Sequence, residues 1–263
     1  MQIITQLENE LNNKEDIAIS LGYFDGLHIA HQKILQTTEN LGMKRAVLTF
    51  SNRPTNKISE LSSMLQDDND KARLLELFGI DYLFIIPFSE EFKNLSKEAF
   101  VDLLESKLNV KHISVGFNYT FGRNREGNTE NLIKILDVKG ISYSIVPPLF
   151  LNGEVISSTL IRNYIYVAKF ELVSELLGRN YTVKIGSLTL VSKNKCKYIY
   201  KYDIQKDYAM PLKGTHNIDL LLDDEVVIAK INVDDKNIYI EKEICFDCSK
   251  MIIIKFRTGR EDI

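Results

Sequence analysis

Along the first two-thirds of the chain, apolar positions switch repeatedly between a strand-like period and a helix-like one. Ile17–Phe24 is a short apolar run bounded by glycine. Helical spacing through Ile34, Leu35, Thr38 and Leu41 follows, with Gly42 as its C-cap. Arg45–Phe50 reads as a strand, Asp70–Phe78 as a helix closed by Gly79, and Asp81–Phe88 as a further strand. Ser96–Leu108 is an amphipathic helix with Ser96 as N-cap and Glu98 in its first turn. His112–Phe117 is a strand, Thr129–Val138 a helix ending near Gly140, and Ile141–Pro147 a strand. Strands and helices taking turns predict a parallel sheet covered on both faces.

The pattern changes after about Gly178. From Tyr181 the apolar residues alternate, helix signals are few, and acidic pairs mark turns. Leu220–Leu222 and Val226–Ile231 flank Asp223-Asp224, and Ala229–Val233 and Ile238–Ile240 flank Asp234-Asp235, which predicts two hairpins; Met251–Phe256 is a late strand. The expected fold is therefore α/β: a Rossmann-like parallel-sheet domain over residues 1–178, then a small all-β, barrel-like domain over 179–263.

Composition changes this picture little. The 263 residues are 44% hydrophobic and 26% charged, ordinary for a globular protein, and the formal net charge is −3. Nothing global points to nucleic acid or an anionic membrane, so any anion site must be built locally. No apolar run reaches the length of a membrane span. The stretch MQIITQLENELNNKED lacks the basic start and apolar core of a secretory signal. Three cysteines (Cys196, Cys245 and Cys248) cannot all pair within one chain, and a cytoplasmic address is the simplest expectation.

Candidate chemistry concentrates in Gly22–His31, GYFDGLHIAH. A strand, a glycine-bearing turn and a helix N-terminus form a recurrent phosphate site. The glycines admit an anion close to the backbone, and the first helical turn attracts it. His28 and His31, two of the chain's four histidines, are three residues apart and share one helix face. Their imidazoles can donate to phosphate oxygens as charge develops. A lone H-x-x-H on a helix is ordinarily structural, and no further ligands for zinc lie nearby. The position of this pair, after two glycines at the first crossover of an α/β sheet, is where such sheets place ligands.

GYFDGLHIAH resembles the G-x-F-D-G-x-H-x-G-H motif of bacterial flavin adenine dinucleotide (FAD) synthetases, in the wider nucleotidylyltransferase superfamily, with Ala30 where glycine is usual. Val115–Asn128, VGFNYTFGRNREGN, resembles the family's V-G-x-D-F-x-F-G-x-x-R-x-G-N/D segment. Ser157–Arg162, SSTLIR, resembles its S-S-T-x-I-R signature. Thr49–Pro54, TFSNRP, stands at a T-F-x-P-H-P-like segment, with Asn52 and Arg53 replacing proline and histidine. The resemblance runs from residue 15 to about 188 and includes Leu177, Gly178, Arg179 and Tyr181.

The resemblance implies attack of the flavin mononucleotide (FMN) phosphate on the α-phosphorus of ATP, giving FAD and pyrophosphate. His28 and His31 would contact ATP phosphate oxygens, His31 chiefly in the transition state, and Arg162 would clamp the β- and γ-phosphates. Gly22, Phe24, Asp25 and Gly26 would shape the phosphate turn, and Ser157, Ser158 and Thr159 would cap a helix and offer hydroxyls. Asn118, Phe121, Arg123, Arg125 and Asn128 would belong to the flavin and nucleotide pocket, with Asn118 replacing the usual aspartate. Mg2+ would arrive on the ATP; no dedicated protein metal site is visible. Partners are then small molecules, and the oligomeric state stays open.

In bifunctional relatives a C-terminal barrel phosphorylates riboflavin through a loop ending in G-F-P-T-A-N. Here Tyr181–Lys197 has no P-T-A-N and its only glycine is Gly186, although Pro211-x-x-Gly214 and MIIIKFRTGRED resemble other parts of that barrel. The expectation is a degenerate barrel without kinase activity. Cys245-x-x-Cys248 lacks a second ligand pair and reads as two reduced cysteines; His112 and His216 read as structural. Transfer to another acceptor, or a binding protein that has lost catalysis, remain as alternatives.

Overall fold

The structure is a computed structural model, and it describes residues 1–6, 15–51, 63–185, 189–194, 197–203, 208–222, 225–234, 237–242 and 252–258. By contact the chain forms two compact units, residues 1–57 with 67–156 and residues 58–66 with 157–263. The predicted features at Asn52, Arg53, Gly186, Cys196, Asp223, Asp224, Asp235, Cys245 and Cys248 lie outside the described residues.

In the first unit, β1 (Gln2–Ile4), β2 (Ile17–Leu21), α1 (Ile29–Gln36), β3 (Lys44–Phe50), α2 (Asp68–Leu77) and β4 (Tyr82–Ile86) are followed by the short α3 (Glu90–Lys93) and by α4 (Lys97–Leu108). Then come β5 (Val110–Gly116), α5 (Thr129–Lys139), β6 (Ser142–Val146) and a small hairpin of β7 (Phe150–Leu151) and β8 (Glu154–Val155). Six parallel strands lie in the order β1-β4-β3-β2-β5-β6. All five residues of β2 are buried, as a central strand covered on both faces requires. Two apolar clusters result: Ile19, Leu48, Phe84, Leu104, Ile113 and Leu132 belong to one, and Leu35, Val47, Leu75 and Leu83 to the other. The polar partners of the caps match the sequence pattern. Ser96 accepts from the Ala99 amide, and Gly140 closes α5 in the left-handed region.

The α1 helix departs from expectation. The apolar spacing extended it to Leu41 with Gly42 as cap, but it stops at Gln36. Thr37 and Thr38 turn their hydroxyls back onto the carbonyls of Ile34 and Leu35, each at 2.7 Å. Arg45 takes the Leu35 carbonyl as well, at 2.8 Å. Side-chain donors thus claim the carbonyls near the helix end. Gly42 keeps a left-handed φ of +70° outside any helix.

The second unit opens with α6 (Ser158–Tyr166) and α7 (Phe170–Leu177), followed by β9 (Thr182–Ile185), β10 (Thr189–Asn194), β11 (Lys197–Asp203), β12 (Gly214–Leu222), β13 (Glu225–Val233), β14 (Asn237–Lys242) and β15 (Ile252–Phe256). These seven strands form one antiparallel sheet, β10-β11-β14-β13-β12-β15-β9. Both predicted hairpins are present, β12 with β13 and β13 with β14. Asp234 serves the second turn by accepting from the Asn237 amide at 2.7 Å. Phe170 of α7 stacks on Phe256 of β15 with ring centroids 4.5 Å apart. No helix among the described residues is long and apolar enough to cross a membrane.

His112 on β5 lies between two serines of β6, with Nδ1 2.8 Å from Ser142 Oγ and Nε2 3.1 Å from Ser144 Oγ. Burial holds its pKa below the usual 6.5. The folded state then binds fewer protons than the unfolded chain, so the contribution of His112 to stability is present above pH 6.5 and is lost as pH falls. The melting temperature should hold above neutrality and decline as pH drops below 6.5, with a shallower decline for His112→Gln. An identical decline in that variant would show that His112 is not among the groups responsible.

Candidate active site

The sheet reverses its winding at β2: β3 lies on one side of it and β5 on the other. Loops leaving the carboxyl ends of those strands part at this point and open a crevice. A cavity of about 370 Å³ occupies it, lined by the turn after β2, the start of α1, and the segment after β5.

The turn is tightly wound. Phe24, Gly26 and Leu27 all have positive φ (+52°, +79° and +40°), although the side chains of Phe24 and Leu27 are fully buried. Left-handed backbone at two bulky residues is costly and persists only where the surroundings over-determine it, as they often do at functional sites. Thr49 helps by donating to the Tyr23 carbonyl at 2.9 Å. Gly22 is close-packed, since a Cβ there would meet the Phe24 ring at 3.2 Å.

His28 is the N-cap of α1. Its Nδ1 accepts from the His31 amide at 3.3 Å. An accepting ring nitrogen carries no proton, so neutral His28 carries its proton on Nε2 and can donate from there. His31 stacks on His28, with centroids 3.6 Å apart and planes 17° from parallel, and meets the edge of Phe24 at 5.2 Å. Its Nδ1 is buried with no hydrogen-bond partner among the described residues. Burial, then the charge of His28, then that of Lys71 hold the His31 pKa well below 6.5. His31 is therefore neutral at pH 7, and the helix cap leaves Nε2 as the proton-bearing nitrogen of a neutral His28. Asp25 is buried beneath the turn at 3% exposure and is not on the cavity wall.

Much of the remaining cavity lining is aromatic. Phe50, Phe92, Phe100 and Phe121 form a run of edge-on and tilted rings, with neighbouring centroids 5.3, 5.8 and 5.6 Å apart, and Phe88 flanks Phe50 at 5.0 Å. Tyr119 lies parallel to Phe121, and burial pushes its phenol pKa up. The 121–127 loop holds this end of the wall by pairing Phe121 with Gly127 through hydrogen bonds of 3.0 and 2.9 Å.

Of the residues assigned from sequence, Gly22, Phe24, His28, His31, Asn118, Phe121 and Arg125 line the cavity together. Gly26 is buried in the turn. Arg123 is exposed, and Asn128 caps α5 by accepting from the Asn131 amide at 2.9 Å; neither lines the cavity. Ser157, Ser158, Thr159 and Arg162 belong to the second unit. There Ser157 caps α6, and the buried Arg162 donates through Nε to the Ser63 carbonyl at 2.6 Å. Missed in the sequence were the rings of the aromatic wall other than Phe121, and Lys71. Aromatic residues four apart at Phe88 and Phe92 carried a weak signal for the wall. A lysine on the apolar stripe of α2, one turn before Leu75, carried the signal for the other.

A phosphate-type turn and an aromatic wall in one crevice of a parallel sheet describe a nucleotide-handling α/β protein. Residues 10–160 match the family model described as FAD synthetase. The chain belongs to the FAD synthetase family, and it is an enzyme of the nucleotidyltransferase kind. It is 29% identical over 225 residues to the bifunctional riboflavin kinase/FMN adenylyltransferase of Listeria monocytogenes, covering 82% of this chain and 71% of that one. It is 30% identical over 219 residues to a protein of the same organism named FAD synthetase, covering 79% and 83%. Among solved structures, the macrolide-efflux protein from Streptococcus pneumoniae superposes with a TM-score of 0.82 at 22% identity, over 100% of this chain and 91% of that one, and shows a shared fold.

Gly127 gives a direct test of the wall. A Cβ at that position would sit 2.7 Å from the Phe121 ring, which is itself packed on Phe100 and Tyr119. Gly127→Ala should cost about 1–3 kcal/mol of stability by overpacking and should alter the near-ultraviolet circular dichroism of the aromatic run. A variant with unchanged melting and spectrum would mean that Phe121 is not held from this side.

Proposed function

We propose that this chain transfers the adenylyl group of ATP to FMN, with residues 1–178 as the transferase domain and with no riboflavin kinase activity. The observation that carries the reading is the cavity itself, which joins stacked histidines at a helix N-terminus to a run of aromatic rings. A phosphate oxygen of FMN attacks the α-phosphorus of ATP. The bond from that phosphorus to the bridging oxygen breaks, and pyrophosphate leaves with its electrons. The attacking phosphate is already a nucleophile, so the protein's work is alignment and charge stabilisation.

His28 donates from Nε2, and His31 supports the charge that grows on the phosphate oxygens. The aromatic rings take the isoalloxazine, with Asn118 and Arg125 on the same wall. Arg162 is assigned to the β- and γ-phosphates on the strength of the SSTLIR signature alone. Among the described residues no group of three or more His, Cys, Asp or Glu is arranged to hold a metal. Mg2+ would enter as the counter-ion of ATP, held by phosphate oxygens and water, and chelation should abolish turnover. The absence of kinase activity rests on the missing P-T-A-N in Tyr181–Lys197. Two departures from the family pattern, Ala30 and Asn118, both line the cavity, so other phosphate acceptors belong in the same assay.

Incubation of the chain with magnesium ATP and FMN should give FAD and pyrophosphate, while riboflavin in place of FMN should give neither FMN nor FAD. Phosphorylation of riboflavin would overturn the monofunctional part. Turnover with another acceptor at the expense of FMN would overturn the choice of substrate. His31→Ala should lower kcat by about a hundredfold, the cost of removing one group that stabilises developing charge, with the KM for FMN little changed. Full turnover in that variant would remove His31 from the chemistry.

A further inference from the structure

Lys71 occupies a position where an apolar side chain would be expected. It shares the inward stripe of α2 with Ala72 and Leu75 and is 2% exposed. A buried ammonium is disfavoured unless nearby groups compensate it. Here the compensation comes from two sides. Asp68, one turn earlier and half-exposed, places Oδ1 3.3 Å from Nζ. The face of the Tyr23 ring lies 4.7 Å from the same nitrogen, within cation–π range. Tyr23 is part of the turn that leads into the histidine pair, and its carbonyl is the one held by Thr49. Leucine or methionine at residue 71 would fill the same space without fixing any charge beside that turn.

We infer that Lys71 is a positioning residue for the transfer: its ammonium clamps the Tyr23 ring against α2, steadies the left-handed turn, and sets a positive potential at the His28–His31 pair. The inference rests on the adenylyl-transfer reading for its catalytic consequence, but not for its electrostatic one. Among the described residues, the ionisable groups on these elements include Tyr23, Asp25 and His28 in the turn, Asp67, Asp68, Asp70 and Lys71 at the start of α2, and Arg125 and Lys93 on the cavity wall. Of these, His28 and Lys71 are the ones whose charge lowers the His31 pKa, adding to burial. Two imidazoles stacked at 3.6 Å repel if both are charged. A fixed cation adds to burial in keeping His31 unprotonated, and so available to the nucleotide over a wider range of pH.

The test uses the full chain and three substitutions. Lys71→Met removes the charge and keeps most of the length, Lys71→Arg keeps the charge, and Asp68→Asn removes the counter-charge from a half-exposed site. Ring-proton NMR of the ligand-free protein reads the His31 titration directly. It should move up in Lys71→Met, move down in Asp68→Asn, and stay near wild type in Lys71→Arg. The acid limb of kcat against pH should move in the same directions. At a pH between the two limbs, Lys71→Met should lose up to about tenfold in kcat with KM for FMN unchanged. A His31 titration unchanged in both Lys71→Met and Asp68→Asn overturns the inference. If Lys71→Met does not fold, Asp68→Asn alone decides. Failure of the wild type to make FAD would defeat the adenylyl-transfer reading, while the ligand-free titration would still show whether Lys71 sets the potential.

Discussion

The reversal of strand order at β2 is the constraint from which the first unit follows. Neighbouring strands on opposite sides of β2 send their loops apart, so the chain leaving Leu21 faces a crevice instead of a packed neighbour. It must turn within a few residues to bring α1 back over the sheet. The turn achieves this with left-handed backbone at Phe24, Gly26 and Leu27. Burial of Phe24 and Leu27 on the sheet holds that conformation, and Thr49 on β3 anchors it from the side. His28 then completes the entry to α1 with its own ring, so one imidazole both starts the helix and faces the ligand crevice.

Much of this was legible in the sequence, for physical reasons that differ by element. Central strands such as β2 and β5 are buried on both faces and declare themselves as apolar runs. Ser96 and Gly140 sit where capping chemistry needs them. The three-residue β1 and four-residue α3 are too short to show any period. The overlong prediction for α1 shows the limit of periodicity, because Thr38 and Leu41 fit the apolar spacing while the threonine hydroxyls compete for the carbonyls that would continue the helix. Hairpins β12–β13 and β13–β14 are local and were readable; the pairing of β15 with β9 joins residues far apart in the chain and was not.

The site divides along the same line. His28 and His31 lie three residues apart where α1 begins, so the pairing of their rings is visible in a ten-residue string. The aromatic wall comes from β3, the α3 region, α4 and the 119–121 segment, and only folding collects it. Asn128 and Arg123 fall within a recognisable segment, yet the backbone uses one as a cap and leaves the other exposed. In the second unit, Arg162 and Arg179 hold the 63–66 segment by donating to the Ser63 carbonyl at 2.6 Å and to Gln66 Oε1 at 3.0 Å. The arginine of the SSTLIR signature thus has a structural task whatever else it does.

Arg45 joins two ends of the first unit through a single side chain. Its guanidinium donates to Leu35 at the end of α1 and to Phe78 at the end of α2, and its Nε reaches Thr38. Both helix C-termini therefore depend on one positive charge rising from β3. Fraying of either exposes the same guanidinium to water and weakens its hold on the other. The last turns of α1 and α2 thus share one donor, and loosening of either reaches the other through the same side chain.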